Sequence, residues 1–393
     1  MTKAQERQLS GFVFAAWILA HPASSIVSPE PTVNNLAPSF YGAGGFVRPL
    51  PSLYVSGYVA IHWPAQQYAY SEPALVFPTL SGDSRTALWT IGTLMKTQKR
   101  FTPDLLDRYR RLGRGKGSNE HYVPWHRVGR SDPASSGRSH LQHWRGRQRE
   151  LLSDLELVAF LFCTMLVDIA DIREQFPLSL EESEHELSPP DDSTIAGKYA
   201  GSLSIATELQ VKHPKVSGGG RSVSWVMTTD LLLTIRQPDG RLTLLAIAVK
   251  PNSAADKKRT KELLAIEHMY WKARGVQWLL ITPDLYDGLV AETLRNCVSW
   301  ALEPQADETG IDFVAMAADR LHGKSMTAAL EYLAAEFGSQ SKAKLALWQA
   351  VWSGRLPIDL RRGWRPHEPL ALLDPAEFRL LNPITSGRSA WSC

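Results

Sequence analysis

Val226-Met-Thr-Thr-Asp230 leads into an apolar run, Leu231-Leu-Leu-Thr-Ile235; after Pro238-Asp-Gly240 comes a second apolar run, Leu245-Ala-Ile-Ala-Val-Lys250. Proline, aspartate and glycine in succession between two such runs reverse the chain, so the pair reads as a β-hairpin. An acid heads the first strand and a lysine closes the second, which places Asp230 and Lys250 near the same end of one sheet. Two readings are open here. A buried acid beside a lysine holds a divalent cation and orients a water, the chemistry of phosphodiester hydrolysis. The plainer alternative is a hairpin with polar ends.

The flanking segments build a layer around this hairpin. A helix is expected from about Lys257 to Arg274, stopped by Gly275, with Leu263, Ile266, Tyr270 and Trp271 on its apolar face. Lys257, Lys258, Arg259 and Lys261 crowd its first turns, against the helix macrodipole, and point to a bound anion. Gln277 to Thr282 reads as a further strand. Before the hairpin, Ser153-Asp-Leu-Glu156 has the capping-box form and opens a helix to about Leu166, its stripe being Leu155, Ala159, Phe162 and Met165/Leu166. Glu156 has two readings: it reaches back to the Ser153 amide, or it aims a carboxylate at a metal. Asp171 to Leu178 is a short extended piece, residues 179 to 198 a surface loop, and Ser204 to Leu209 a helical turn. Helix, strand, strand, helix, strand describes an α/β layer rather than a doubly wound sheet.

At 393 residues the chain has room for two or three domains. The net charge of +3 is small, but its distribution is not even. From Lys99 to Glu150 thirteen Lys/Arg stand against five Asp/Glu, a local excess of eight positive charges that fits a polyanion partner. Tyr122, Trp125, His126, His140, His143 and Trp144 interleave with the basic residues, and glycines and serines at 113–118 and 135–139 suggest an extended basic arm over 95–150 tracking DNA; the alternative is a solvated linker. Candidate DNA contacts are Arg138, His140, Arg145 and Arg147, with Lys212, His213 and Arg259 beyond. The three cysteines, Cys163, Cys297 and Cys393, form no CxxC pair, which argues against zinc and disulfide frameworks and fits a reducing cytoplasm.

Residues 1–94 carry scattered proline and glycine without a sustained period. Their expected state is a poorly ordered extension, with Met95 as an alternative working start. The apolar run Phe12 to Ala20 is too short to span a bilayer, so no membrane association is expected. Past Asp284 the chain turns helical. Met326, Ala329, Leu330, Leu333 and Phe337 share a helix face between Ser325 and Gly338, Leu345, Trp348 and Trp352 mark a second helix, and 355–360 and 364–373 read as short edge strands limited by prolines. Two helices and a hairpin make a winged-helix-like domain over 291–393, a protein-contact module rather than a DNA reader.

The stretch from His121 to about Trp300 resembles TnsA, the endonuclease subunit of heteromeric cut-and-paste transposases. The resemblance rests on Tyr122-Val-Pro-Trp125, Ser136-Gly-Arg-Ser-His140, Leu151-Leu-Ser-Asp-Leu-Glu-Leu157, Asp171-Ile-Arg-Glu-Gln-Phe-Pro-Leu178, Lys212-His-Pro214, Met227-Thr-Thr-Asp230, Val249-Lys-Pro251 and Tyr270-Trp271, in that order. It implies an α/β fold with a restriction-endonuclease-like PD-(D/E)xK core over 151–290 and the helical winged-helix-like domain behind it. It implies Glu156, Asp230 and Lys250 as the catalytic set, with Glu156, Asp230 and the Val249 carbonyl around Mg²⁺, for which Mn²⁺ would substitute. Many such nucleases carry an acid or glutamine two residues before the lysine; here that position is Ala248. The implied partners are transposon-end DNA, a TnsB-like transposase subunit and a TnsC-like ATPase regulator on the C-terminal domain. The implied reaction is nicking at the 5′ ends of a transposon. The alternatives are a free-standing restriction or repair nuclease, and a DNA-binding assembly factor with a decayed site, suggested by Ala248.

Overall fold

The computed structural model describes residues 101–129, 132, 138–187 and 197–391. The expectations for residues 1–94, for Phe12 to Ala20, for a start at Met95 and for Cys393 lie outside the described residues, as does residues 188–196 of the surface loop.

In chain order the described elements begin with helix α1 (Pro103–Arg111), strands β1 (His140–Trp144) and β2 (Arg147–Leu151), helix α2 (Asp154–Thr164) and strand β3 (Ile169–Pro177). They continue with α3 (Ser202–Glu208), β4 (Lys215–Gly218), β5 (Arg221–Ser224), β6 (Thr228–Arg236), β7 (Leu242–Val249), α4 (Lys258–Ala273) and β8 (Gln277–Ile281). The longer helices of the C-terminal region are α5 (Gly288–Ala301), α6 (Glu308–Met316), α7 (Met326–Phe337), α8 (Gln340–Trp352) and α9 (Pro375–Leu380), with a four-residue helical turn at Ala318–Leu321.

The central sheet has four strands in the order β3-β6-β7-β8. The expected hairpin is its middle: β6 and β7 pair antiparallel from Leu231 opposite Ile247 to Arg236 opposite Leu242. Gly240, at φ 85°, makes the turn in the left-handed region that glycine enters without steric cost. β8 runs parallel to β7, reached through the α4 crossover, and Gly275 ends α4 at φ 68°. The extended piece at 171–178 proves to be a full nine-residue strand, β3, antiparallel to β6.

The strands are apolar without alternation because the sheet is covered on both faces. Leu231, Leu233, Ile235, Leu245, Ile247, Val249, Leu279 and Ile281 face α2 and the C-terminal helices. Leu232, Leu244, Ala246, Ala248, Trp278 and Leu280 face α3 and α4, through Ile205, Leu264, Tyr270 and Trp271. Helix α2 lacks the single stripe expected of it: everything from Glu156 to Cys163 is buried, because the sheet lies on one side and α5 with the C-terminal helices on the other.

Both sheet edges are closed, as exposed edges would pair with other chains. At the β8 edge, Leu280 N donates to Ser389 Oγ (3.0 Å) and Ala390 N donates to the Leu280 carbonyl (2.9 Å). At the β3 edge, Arg147 and Arg149 of the β1–β2 hairpin both donate to the Ile172 carbonyl (3.1 and 2.6 Å). Among its described residues the basic segment is thus not an extended arm. Its second half is a hairpin whose arginines Arg147 and Arg149 are buried, and its first half, α1 with Trp125, forms a small cluster with Val226 beside the β4–β5 hairpin.

The C-terminal region departs from a separate winged domain. Ser325 caps α7 and Gly338 ends it, as expected. The two edge strands, however, reduce to isolated bridges, Ile358 to Leu372 between them and Pro369 to Ser325, and residues 360–362 form a 3-10 turn. Pro357, Pro366 and Pro369 remove ladder donors on these segments. One continuous core runs from Trp144 to Ile384 through both regions. Trp352 Nε1 donates to Thr164 Oγ1 (2.9 Å) and Asn382 Nδ2 to the Phe162 carbonyl (2.8 Å), both on α2. Cys163 and Cys297 are free and buried within this core. Among the described residues no helix is long and apolar enough to cross a membrane. A chain ending at residue 290 would leave the outer side of α2 bare, and is expected to lose cooperative thermal unfolding and near-UV circular dichroism rather than to behave as an intact domain.

Candidate active site

Asp230 stands where β6 leaves the core, and its carboxylate is the meeting point of three chain segments. Its Oδ2 accepts from Val249 N (2.7 Å) and from Lys250 Nζ (2.8 Å). Lys250 Nζ also donates to the Val249 carbonyl (2.9 Å). Its Oδ1 accepts from Gln175 Nε2 (3.3 Å), and the same Nε2 donates to Glu156 Oε2 (3.2 Å). Glu156, Asp230, Val249 and Lys250, chosen from sequence, therefore converge. Asp230 is 8% exposed and Glu156 8%, while the Lys250 side chain keeps 30% of its surface in solvent.

The capping box and the site share one carboxylate. Ser153 Oγ accepts from Glu156 N (3.1 Å) and donates to Glu156 Oε1 (3.3 Å). The amide that Glu156 reaches is that of Leu152 (2.9 Å), not Ser153. This bond fixes the carboxylate at the start of α2 without turning it from Asp230, so the two readings of Glu156 are compatible.

Negative charge is crowded here. Burial and then Asp230 push the Glu156 carboxyl up to about 7, against the pull of the Leu152 amide, Lys250 and Gln175. Glu267 on α4 is a further buried acid that the sequence reading passed over. It accepts from Thr229 Oγ1 (2.9 Å) and Trp278 Nε1 (3.1 Å), and burial and then Asp230 push its carboxyl to about 7 as well. Burial alone would lower the Lys250 ammonium, but Asp230 and then Glu267 outweigh it and hold it above its ordinary value. Lys250 is thus a cation at neutral pH. The signal for Glu267 was available: it interrupts an apolar helix face marked by Leu263, Tyr270 and Trp271.

Among the described residues no group of three or more His, Cys, Asp or Glu side chains gathers as a metal cluster. The donors present are two carboxylates about one bridging amide, with the Val249 carbonyl beside them. Hard, oxygen-seeking cations take such sets when neutral oxygens complete the shell, and a divalent ion would offset the burial and the nearby Asp230 charge that together raise the Glu156 carboxyl. The residues fit such an ion.

The expected DNA contacts divide. Arg138 Nε and His140 Nε2 lie on the two oxygens of Asp154 (3.1 and 2.7 Å), two residues before Glu156, with Arg295 Nη2 at 3.9 Å. Lys212 and Arg259 come together on an exposed surface, Arg259 Nη2 donating to the Lys212 carbonyl (2.6 Å). Three do not act as expected. Arg145 donates to the Ile169 carbonyl at the far end of β3 from Gln175. His213 is buried: its Nδ1 donates to the Pro214 carbonyl (3.1 Å), leaving Nε2 to accept from Ser202 Oγ (3.2 Å), and burial lowers its pKa. Arg147 forks onto Glu174 (2.5 and 2.6 Å) with both side chains inside the protein.

Three outcomes follow from this geometry. A carboxyl raised from 4.5 to about 7 is protonated more readily in the folded chain than in the unfolded one, so stability falls as pH rises through that window. Glu156→Gln removes that ionisation and is expected to stabilise the protein by about 1–3 kcal/mol at pH 8 and little at pH 5, read from thermal melts across that range. Arg147→Ala strands the Glu174 carboxylate and should cost about 3–5 kcal/mol of stability, whereas Lys212→Ala should leave melting unchanged and lower the salt slope of DNA binding by about one.

A family model described as TnsA-like endonuclease N terminal matches residues 167–283. That span holds Gln175, Asp230, Val249 and Lys250; Glu156 precedes it. The transposition protein TnsA of transposon Tn7 from Escherichia coli is 32% identical over 231 residues, which are 58% of this chain and 73% of that protein. The four-stranded mixed sheet flanked by helices is the restriction-endonuclease-like core that this domain carries. With the acid–lysine site at the strand ends and the relative matched over most of its length, the chain belongs to the TnsA family and is a DNA endonuclease of transposition.

Proposed function

We propose that the protein is a Mg²⁺-dependent endonuclease that nicks transposon DNA at its 5′ ends, with Glu156, Asp230 and Lys250 as its catalytic set. The observation that carries this reading is the convergence on Asp230 of the Lys250 ammonium (2.8 Å), the Val249 amide (2.7 Å) and, through Gln175, the Glu156 carboxylate. Glu156, Asp230 and the Val249 carbonyl would hold the ion. When bound, the ion supplies charge neutralisation at the scissile phosphate and acidifies a water, and Mn²⁺ would substitute because it prefers the same oxygen donors.

Lys250 remains protonated, so it acts as donor rather than base. It orients the attacking water and stabilises the negative charge that builds on the phosphate oxygens. Ser153 and the Leu152 amide hold Glu156 in place. Arg138, His140 and Arg295 would receive backbone phosphates beside Asp154, and Lys212 and Arg259 would receive them at the start of α4. DNA contact of this kind positions the strand without reading its sequence.

The name of the relative, a transposition protein of Tn7, supports a place in an assembly with transposon-end DNA. A TnsB-like subunit would cut and join the 3′ ends, and a TnsC-like ATPase regulator would dock on the C-terminal helices.

Asp230→Ala should abolish cleavage of a transposon-end substrate while leaving near-UV circular dichroism and DNA affinity in place; full nicking by that variant would sink the assignment. Lys250→Ala, which removes one donor to the developing charge, should lower the cleavage rate by about 10²–10³-fold.

A further inference from the structure

We propose that Gln175 is a third side-chain ligand of the divalent ion, replacing from strand β3 the donor that Ala248 does not provide on β7. The inference rests on the Glu156–Asp230 site proposed above and deepens it.

The sheet register is the first observation. β6 lies between β3 and β7. Leu231 faces Ile247 on β7, so the next step outward sets Asp230 opposite Ala248. On the other side Leu231 faces Glu174 and Thr229 faces Phe176, which sets Asp230 opposite Gln175. Residues directly opposite in antiparallel strands share a face. Asp230 therefore has two flanking positions on its own face. One carries a fully buried methyl group, Ala248 at 0% exposure; the other carries a buried amide, Gln175 at 3%.

The second observation is the way Gln175 is held. Its backbone has φ 49°, a left-handed conformation that side-chain-bearing residues adopt at a cost and that gathers at functional sites. Its Nε2 spans the two carboxylates, at 3.2 Å from Glu156 Oε2 and 3.3 Å from Asp230 Oδ1. Its Oε1 accepts from Thr228 Oγ1 (3.1 Å).

The chemistry of these partners permits exchange. A half-turn of the terminal amide swaps its oxygen and nitrogen. Thr228 is suited to both orientations, since a hydroxyl accepts as well as it donates. With two carboxylates in front of it, the amide presents N–H groups. With a cation between those carboxylates, the amide presents its oxygen to the cation and donates to Thr228 Oγ1 instead. A neutral amide oxygen is the kind of donor that magnesium and manganese accept beside carboxylates.

The experiment measures cation binding, apart from cleavage, by titrating the full chain with Mn²⁺ alone and with Ni²⁺ alone in a calorimeter. Gln175→Leu should weaken Mn²⁺ binding by about tenfold or more. Gln175→His puts an imidazole at similar reach. It should raise the preference for Ni²⁺ over Mn²⁺ by about tenfold or more relative to the parent protein, a shift expected only where the side chain at 175 reaches the cation itself. The His variant decides the matter if the Leu variant fails to fold. Unchanged Mn²⁺ affinity in a folded Gln175→Leu, or an unchanged metal preference in Gln175→His, overturns the role of Gln175 while leaving the carboxylate site intact. Unchanged Mn²⁺ affinity in Asp230→Ala overturns the site itself.

Discussion

The antiparallel register of β6 on β7 is the constraint from which the rest follows. It places the Asp230 carboxylate against the Val249 amide and within reach of the Lys250 ammonium. A slip of one residue would turn Asp230 to the face occupied by Leu231 and Leu233, inside the larger core, and would expel those leucines in exchange. The apolar content of both faces therefore protects the position of a charged group that itself opposes burial. The turn at Gly240 and the cross-strand pairs hold that register from the opposite end of the hairpin.

A second dependency runs through Glu174. It receives Arg147 as a two-pronged pair and the Glu150 amide (3.0 Å). This fastens the end of β2 to β3, and β2 leads through Ser153 directly into α2 and Glu156. Glu174 and Gln175 are neighbours in sequence with opposite duties. One anchors the segment that delivers Glu156, and the left-handed backbone of the other turns an amide toward the carboxylates. The order of residues around β3 thus serves the site more closely than its edge position in the sheet suggests.

The concentration of acid at the site runs against stability. Glu156 and Glu267 are both held above their ordinary ionisation range by burial and by Asp230. A protein under no demand but folding would replace such groups with apolar ones of similar volume. Their retention beside a lysine that stays charged is consistent with a site whose charges are balanced when it is engaged with a cation and a phosphate. Local destabilisation of this kind is common where function and stability make opposing demands.

Much was decided by the sequence alone. Apolar runs around Pro238-Asp-Gly240 specify a hairpin, Ser153 to Glu156 specify a helix start, and Gly275 and Gly338 specify helix ends, because each is a local preference that acts within a few residues. The acid and the lysine follow from that hairpin. Tertiary structure decided what depends on distant neighbours. The excess of arginine over 99–150 suggested a solvent-facing arm, yet Arg147 and Arg149 point inward, since their carboxylate and carbonyl partners come from β3. Edge strands past residue 355 failed to form where prolines removed the donors and the helical core already covered the chain. The place of Gln175 opposite Asp230 arises only when β3 joins the sheet. Chain-local propensity carries information over one turn or one strand pair; the direction of a charge and the completion of a site are set by packing between segments that the sequence keeps far apart.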